Sequence, residues 1–302
     1  MSISRHNLSV VIVTLKSEKV IDQCIKSINK NIPIIVVENS NNHKFKEKLE
    51  SKYKNLKCLL SGSNIGMGSG NNIGIKSANT DYVLILNPDV ELETNMLNEL
   101  YIASNKISEF SILSPISSDI NFPNYGMFNS KNKIKIKETP FKVDYVDGFA
   151  MLFNKRNFQD NKYFDENFFL YLENTDLCLR VNQKGGFIFI VPTAKIIHKG
   201  AKTVDLKYDN EVELSRNWHW IWSKFYYNKK NFGYLKALKE CVLTFFSSLI
   251  KTLYYFIIGN NHKRKIYFNR VSGFYNALIG KSSWYRPNLD DQATETYRKN
   301  NF

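Results

Sequence analysis

The run Leu8-Ser9-Val10-Val11-Ile12-Val13, close to the start of the chain, constrains the fold more than any other stretch. It is apolar, rich in β-branched residues and short, which reads as a strand buried on both faces. Val20, Ile21, Cys24, Ile25 and Ile28 then recur at helical spacing, and Pro33 to Val37 is a second buried run. Strand, helix, strand at this separation is a βαβ unit, whose two strands must be parallel. The alternation continues. The pattern predicts a helix over Lys44 to Lys54, a strand over Lys57 to Leu60, a helix over Asn71 to Ala78, a strand over Tyr82 to Leu86 and a helix over Leu92 to Ile102. Ser117 to Lys137 is polar and reads as a loop or weak hairpin. Strand character resumes over Val143 to Phe153. Phe168 to Val181 is helical in its second half and is stopped by Gly185-Gly186, and Phe187 to Val191 is a further strand. Residues 1–205 therefore form one α/β domain with a mainly parallel, mixed sheet.

From about Glu211 the pattern changes. Residues 206–302 are helical, basic and aromatic, with Trp218, Trp220, Trp222, Phe225, Tyr226 and Tyr227 crowded together. Cys241 to Ile258 is almost continuously apolar, and Lys236, Lys239 and Lys263 to Lys265 flank it. Its length is near the lower limit for a spanning helix. A helix lying in a membrane interface fits these features better than a span or a helix packed within the protein. The formal net charge of +14 points to an anionic partner, and most of the excess lies beyond Lys195. No nucleic-acid-binding motif accompanies the charge, so a membrane surface or a phosphorylated ligand is expected. Cys24, Cys58, Cys178 and Cys241 are scattered without a C-x-x-C pair, which indicates neither a zinc site nor a disulfide framework. The opening residues lack the apolar core of a signal peptide, so a cytoplasmic location is expected.

Several motifs limit the chemistry. The first βα turn, Thr14 to Glu18, holds no glycine, and there is no G-x-x-x-x-G-K-[ST] run. Dinucleotide-binding oxidoreductases and P-loop NTPases are therefore poor fits. Glu38-Asn39-Ser40 follows the second strand, where ligands of open α/β sheets bind; it is either a ribose or base contact or a simple turn. Asn64-Ile65-Gly66-Met67-Gly68-Ser69-Gly70-Asn71-Asn72 precedes a helix, which suits a diphosphate or a flexible loop. Asn87-Pro88-Asp89 ends a buried strand and reads as a divalent-cation site or an Asx-type turn. Glu173 and Asp176 share a helical face among large apolar residues, where a carboxyl can become a general base or a dipole-complementing cap. His198 is a candidate metal ligand.

The order of these segments resembles the family 2 glycosyltransferases, and the bacterial rhamnosyltransferase branch above all. The resemblance rests on Val10 to Thr14, Val36 to Ser40, the Asn64 to Gly74 glycine-asparagine run, Leu86 to Asp89, Gly148, Phe164 to Arg180 and His198, and it spans Leu8 to Lys202. It implies a GT-A fold and an inverting, Mg²⁺- or Mn²⁺-dependent transfer from a nucleotide sugar, such as dTDP-rhamnose, to a saccharide acceptor of a surface polysaccharide. A UDP- or GDP-sugar donor is the alternative, as is an inactive carbohydrate- or membrane-binding module. The resemblance further implies that Thr14, Glu38, Asn39, Asn64, Gly66, Gly68, Asn72, Asn87 and Asp89 hold the nucleotide sugar, that Asp89 and His198 hold the metal, and that Gly148 and Asn174 meet the acceptor. Two positions depart from the family pattern. Glu38 stands where aspartate is usual, and Asn174 stands where an aspartate is often the base, which leaves Glu173 or Asp176 for that role, with Glu173 favoured.

Overall fold

The computed structural model describes residues 7–107, 109–119, 123–129, 136–158, 160–198 and 204–289. The chain divides into two compact units: residues 1–165 with 173–203, and residues 166–172 with 204–302.

The first unit is built on a sheet of nine strands among the described residues. In chain order its elements are β1 (Leu8–Thr14), α1 (Ile21–Ser27), β2 (Ile34–Glu38), α2 (His43–Lys52), β3 (Leu56–Leu60), α3 (Met67–Ser77), β4 (Tyr82–Leu86), β5 (Val90–Leu92), α4 (Met96–Lys106) and β6 (Ile112–Ser117). Then come β7 (Tyr125–Gly126), β8 (Phe141–Val143), β9 (Tyr145–Val146), β10 (Ala150–Asn154), α5 (Glu173–Gln183) and β11 (Ile188–His198). The strand order is β3-β2-β1-β4-β10-β6-β11-β5, and β8 also pairs with β11. β3, β2, β1 and β4 are mutually parallel, whereas β10 runs antiparallel between β4 and β6. Alternate residues of β1 feed opposite cores: Leu8, Val10 and Ile12 pack with α1, α2 and α4, and Val11 packs with α3 and α5. That three-layer arrangement is the α/β class expected from the strand-helix alternation.

The structure moves several predicted boundaries. The helix expected from Asn71 begins at Met67, because Gly66, at φ +88°, turns the chain into it. Leu92 belongs to β5, paired with Ile196, so the next helix starts at Met96. The last strand continues past Val191 to His198 across a register shift between Val191 and Lys195. The expected strand over Val143 to Phe153 is divided among β8, β9 and β10. Within the polar stretch, Tyr125–Gly126 pairs with β9 rather than with its own neighbours, and residues 120–122 and 130–135 lie outside the described residues.

Among its described residues the second unit contains three long helices, α6 (Asp209–Phe232), α7 (Tyr234–Ile257) and α8 (Asn261–Leu278). Gly233 (φ +92°) forms the joint between α6 and α7. The helices share a core of Trp218, Ile221, Trp222, Phe225, Ala237, Cys241, Phe274 and Ala277. A Cβ on Gly273 would collide with the Trp218 carbonyl, so glycine there is what lets α8 lie close to α6. Residues 166–172 join this unit: the Ser223 hydroxyl donates to the Leu170 carbonyl (2.7 Å), and the Ser283 hydroxyl donates to that of Asn167 (2.7 Å). All four cysteines are buried and unpaired with one another.

Candidate active site

The sequence after β4 turns sharply, because Pro88 cannot continue a strand ladder. The Val90 N–H donates to the Asn87 carbonyl (3.1 Å), and the Asn87 N–H donates to the Phe149 carbonyl just before β10 (2.9 Å). β5 then lies antiparallel to the end of β11, with Val90 opposite His198. That register sets Asp89 beside His198 although they are distant in sequence: His198 Nε2 is 3.6 Å from Asp89 Oδ2. The Phe149 ring stacks on the His198 imidazole (4.1 Å between centroids) and fixes its plane. Asp89 is buried, and neither of its carboxyl oxygens has a hydrogen-bond partner among the described residues.

A buried carboxyl with no donor is costly unless a cation or ligand completes it. Asp89 and His198 therefore fit a hard divalent ion as two protein donors. Mg²⁺ in particular is commonly bound by one or two carboxylates together with substrate phosphates. Among the described residues no group of three or more His, Cys, Asp or Glu side chains forms a metal cage. The remaining coordination would fall to the diphosphate and water.

Glu173 opens α5 and is 3% exposed. Burial pushes its carboxyl up to about 7, and Oε2 has no hydrogen-bond partner among the described residues. Desolvation thus outweighs the hydrogen bond that the carboxyl accepts from its own backbone N–H, which favours the ionised form. Two successive non-glycine residues in the left-handed region, Tyr171 (φ 70°) and Leu172 (φ 66°), lead into it. Such geometry costs of order 1–3 kcal/mol per residue and is held only where the surroundings enforce it. Asp176 is different. Its Oδ2 accepts from Arg180 Nε (2.9 Å), and Arg180 also donates to the Tyr163 and Lys162 carbonyls. The guanidinium thus neutralises the buried Asp176 carboxyl, and no such cation stands beside Glu173 among the described residues.

The remaining site residues converge on the same end of the sheet. A Cβ at Gly68 would lie 3.5 Å from the Glu173 side chain, and one at Gly148 would lie 3.3 Å from Asn174 Cβ. The N-termini of α3 and α5 therefore stand together with the β4–β5 turn and the entry to β10. The first turn of α3 has no side-chain cap, which leaves its N–H groups to an anion. Asn39 Nδ2 donates to the Gly66 carbonyl (3.0 Å), its Oδ1 is buried without a partner among the described residues, and the Gly66 N–H donates to Asn64 Oδ1 (3.3 Å). Thr14 is buried at the end of β1, facing the Val37 carbonyl.

Three residues read from sequence as ligand contacts carry structural bonds. The Glu38 carboxyl accepts from the Ser40 N–H and hydroxyl and from the Asn42 N–H, which closes the turn after β2. Asn72 forms a two-way amide clamp with the backbone of Phe164 (2.9 Å each way). Asn174 Nδ2 donates to the Val146 carbonyl (2.9 Å). The glycines of the Asn64 to Gly74 run serve close packing: a Cβ on Gly70 or Gly74 would strike Val13 or Val11 of β1. One residue was not singled out from sequence. Asp147, between β9 and Gly148, is lifted above the ordinary carboxylate range by burial, opposed by the charge of His198. Its signal was Asp-Gly just ahead of a buried strand.

The chain is similar to known glycosyltransferases in sequence and in fold. Over 194 residues the chain is 29% identical to the low-salt glycan biosynthesis hexosyltransferase Agl10 of Haloferax volcanii, covering 59% of this chain and 62% of that protein. It is 22% identical over 236 residues to the N-acetylglucosaminyl-diphospho-decaprenol L-rhamnosyltransferase of Mycobacterium tuberculosis, covering 64% of this chain and 76% of that one. Among solved structures, the mannosyltransferase PcManGT from Pyrobaculum calidifontis, in complex with GDP-Man and Mn²⁺, superposes with a TM-score of 0.55 at 10% identity, over 91% of this chain and 88% of that one. The sheet and its helices are the GT-A arrangement. Residues 9–161 match the family description glycosyl transferase family 2, and the chain belongs to that family.

Proposed function

We propose that this glycosyltransferase moves a deoxyhexose, rhamnose in the leading reading, from a nucleotide sugar to a saccharide carried on a lipid diphosphate, with inversion at the anomeric carbon. One observation carries the mechanism: a buried carboxyl raised to about 7, without a hydrogen-bond partner on one oxygen, stands at the mouth of α5. A base with a pKa near the working pH combines correct protonation with driving force. Glu173 Oε2 takes the proton of the acceptor hydroxyl as that oxygen forms its bond to the anomeric carbon. The bond from that carbon to the diphosphate breaks on the opposite face, and the nucleoside diphosphate leaves with the electron pair. The uncapped N-terminus of α3 and the buried Asn39 amide would hold the donor's diphosphate and nucleoside. A divalent ion on Asp89 and His198 would neutralise charge developing on the leaving diphosphate.

The donor class is supported by the rhamnosyltransferase relative, which is named for a diphospho-decaprenol acceptor. A panel of dTDP-, UDP- and GDP-sugars, assayed by nucleoside diphosphate release with and without Mn²⁺, tests it. The expected outcome is release from dTDP-rhamnose with Mn²⁺ at least tenfold above the UDP- and GDP-sugars. Preference for another nucleotide would replace the donor assignment.

The second unit supports an association with the inner membrane surface. α7 is the one helix among the described residues long and apolar enough to cross a membrane. It buries Ala237, Cys241 and Ser248, while Leu243, Phe246, Ile250, Leu253 and Ile257 are exposed. Those five recur at three- and four-residue spacing along one face of the helix. Lys251 on α7 and Lys263 and Arg264 on α8 supply positive charge, over Tyr267, Tyr255 and Phe256 respectively. An apolar row beside cations is the pattern of an interfacial helix on anionic lipid. The protein should therefore co-sediment with phosphatidylglycerol vesicles, and L243E/I250E should lower the bound fraction at least tenfold. Self-association that L243E/I250E abolishes, without vesicle binding, would assign the face to a second copy instead.

A further inference from the structure

The second unit contains a cavity of about 450 Å³ that the mechanism above does not use. Three stretches build it: residue Asn167, one face of α6, and the last turn of α8 with the turn that follows it. The turn is tied down because Trp222 Nε1 donates to the Lys281 carbonyl (3.0 Å). The segment around Asn167 is tied down by the Ser283 hydroxyl and by the edge contact of Phe168 with Tyr226 (4.9 Å between centroids). Trp222, Phe225 and Tyr226 form apolar wall, and Lys229, Lys230 and Lys281, with exposed side chains, also line the cavity; the Lys229 ammonium lies over the Tyr234 ring and that of Lys230 over the Phe168 ring. Among the described residues no acidic side chain lines the cavity.

This composition selects a ligand. Three ammonium groups with no carboxylate among the lining residues favour a multiply charged anion, and their attraction is strengthened where low-dielectric walls exclude water. The walls are not a stacking platform for a base. Trp222 is covered on its faces by Trp218 (6.3 Å, 12°) and Tyr226 (5.0 Å, 20°), so it offers edges and aliphatic surface. A volume of this size admits a diphosphate and the first part of an attached chain, and lies within the range of small-molecule sites. The same helical unit carries the exposed apolar row of α7, which suits a ligand whose remainder is hydrocarbon.

We infer that this cavity binds the diphosphate and proximal isoprene units of a polyisoprenyl diphosphate, the carrier of the acceptor saccharide. The inference rests on the acceptor class proposed above and gives the lipid end of that acceptor its own site.

The test is isothermal titration with farnesyl diphosphate, farnesol and inorganic diphosphate. The proteins are the wild type, K229A/K230A/K281A, the single variant K281E, and D89A. Farnesyl diphosphate should bind wild type and D89A alike. It should bind at least tenfold more weakly to the triple variant, with K281E weakened in the same direction, each variant keeping the wild-type melting temperature. Farnesol and inorganic diphosphate should each bind at least tenfold more weakly than farnesyl diphosphate. Binding that survives in the triple variant and disappears in D89A would overturn the inference, because the probe would then occupy the donor site. Equal binding of inorganic diphosphate would assign a free-anion site and overturn the lipid assignment, as would equal binding of farnesol. Lysine-dependent binding without turnover of any nucleotide sugar would leave this site standing while sinking the transferase reading.

Discussion

Replacing Glu173 by glutamine is expected to lower transfer by about 10³-fold while leaving the protein folded, and to make it more stable at alkaline pH. Removal of a general base costs typically 10²- to 10⁴-fold, and a glutamine amide cannot take the acceptor proton. The stability change follows from the ionisation of the buried carboxyl. Glu173 titrates near 4.5 in an unfolded chain and near 7 when buried. Between those values the folded state binds the extra proton, so stability falls as pH rises through this window. The total loss is roughly 3 kcal/mol, because each pH unit across the window removes about 1.4 kcal/mol. Glutamine carries no charge to bury, so the E173Q melting curve should lack this decline. At pH 8 it should lie above wild type, and at pH 4 the two should coincide. In the wild type, transfer should rise about tenfold per pH unit below 7 and level off above it. D176N serves as the contrast, because it breaks the ion pair with Arg180 and should cost stability, with activity per folded molecule largely kept. A fully active E173Q, or a stability difference that does not change with pH, would remove Glu173 from the mechanism.

The choice between the two carboxyls shows what the sequence could and could not reveal. The Asp176–Arg180 pair is an i, i+4 relationship on one helix, yet the spacing alone left Asp176 open as a base, and the structure shows the two side chains bonded. The burial that raises Glu173 depends on α3 lying against it through Gly68, a contact between distant segments that no local pattern encodes. The strand-helix alternation was legible because buried runs such as Val10 to Val13 have few other solutions. Boundaries were less so, because Leu92 reads equally well as the start of α4 and is claimed by its pairing with Ile196. The glycine-asparagine run was recognised for its composition. The sequence did not show that Gly70 and Gly74 serve close packing on β1, or that Asn72 clamps the Phe164 backbone. Asp-Gly alone does not mark Asp147, because its charge interaction with His198 arises only when β10 enters the sheet beside β4 and β11 runs on to its final residue.

Asp89→Ala is the second large effect expected, and its signature differs from that of Glu173. Wild type should show a melting temperature raised by Mn²⁺ together with the nucleoside diphosphate product, since a ligand that binds only the folded state must stabilise it. In the D89A protein that rise should vanish, and transfer should fall about 10³-fold, the scale of several kcal/mol of lost charge stabilisation. The protein itself should be as stable as wild type or more so. The alanine removes a buried carboxyl whose two oxygens have no donors, and with it the cost of burying them. His198 stays stacked on Phe149 and partly open to solvent, so losing its neighbour leaves no stranded buried charge. His198→Ala should weaken the Mn²⁺-dependent rise without erasing it, because Asp89 keeps both oxygens. The pH profile separates the two sites: D89A should retain the wild-type dependence of its residual rate near pH 7, since Glu173 still sets it, whereas E173Q should lose it. A D89A protein that keeps its Mn²⁺-dependent stabilisation and its turnover would leave the buried, donorless carboxyl at the end of β4 without a role in transfer.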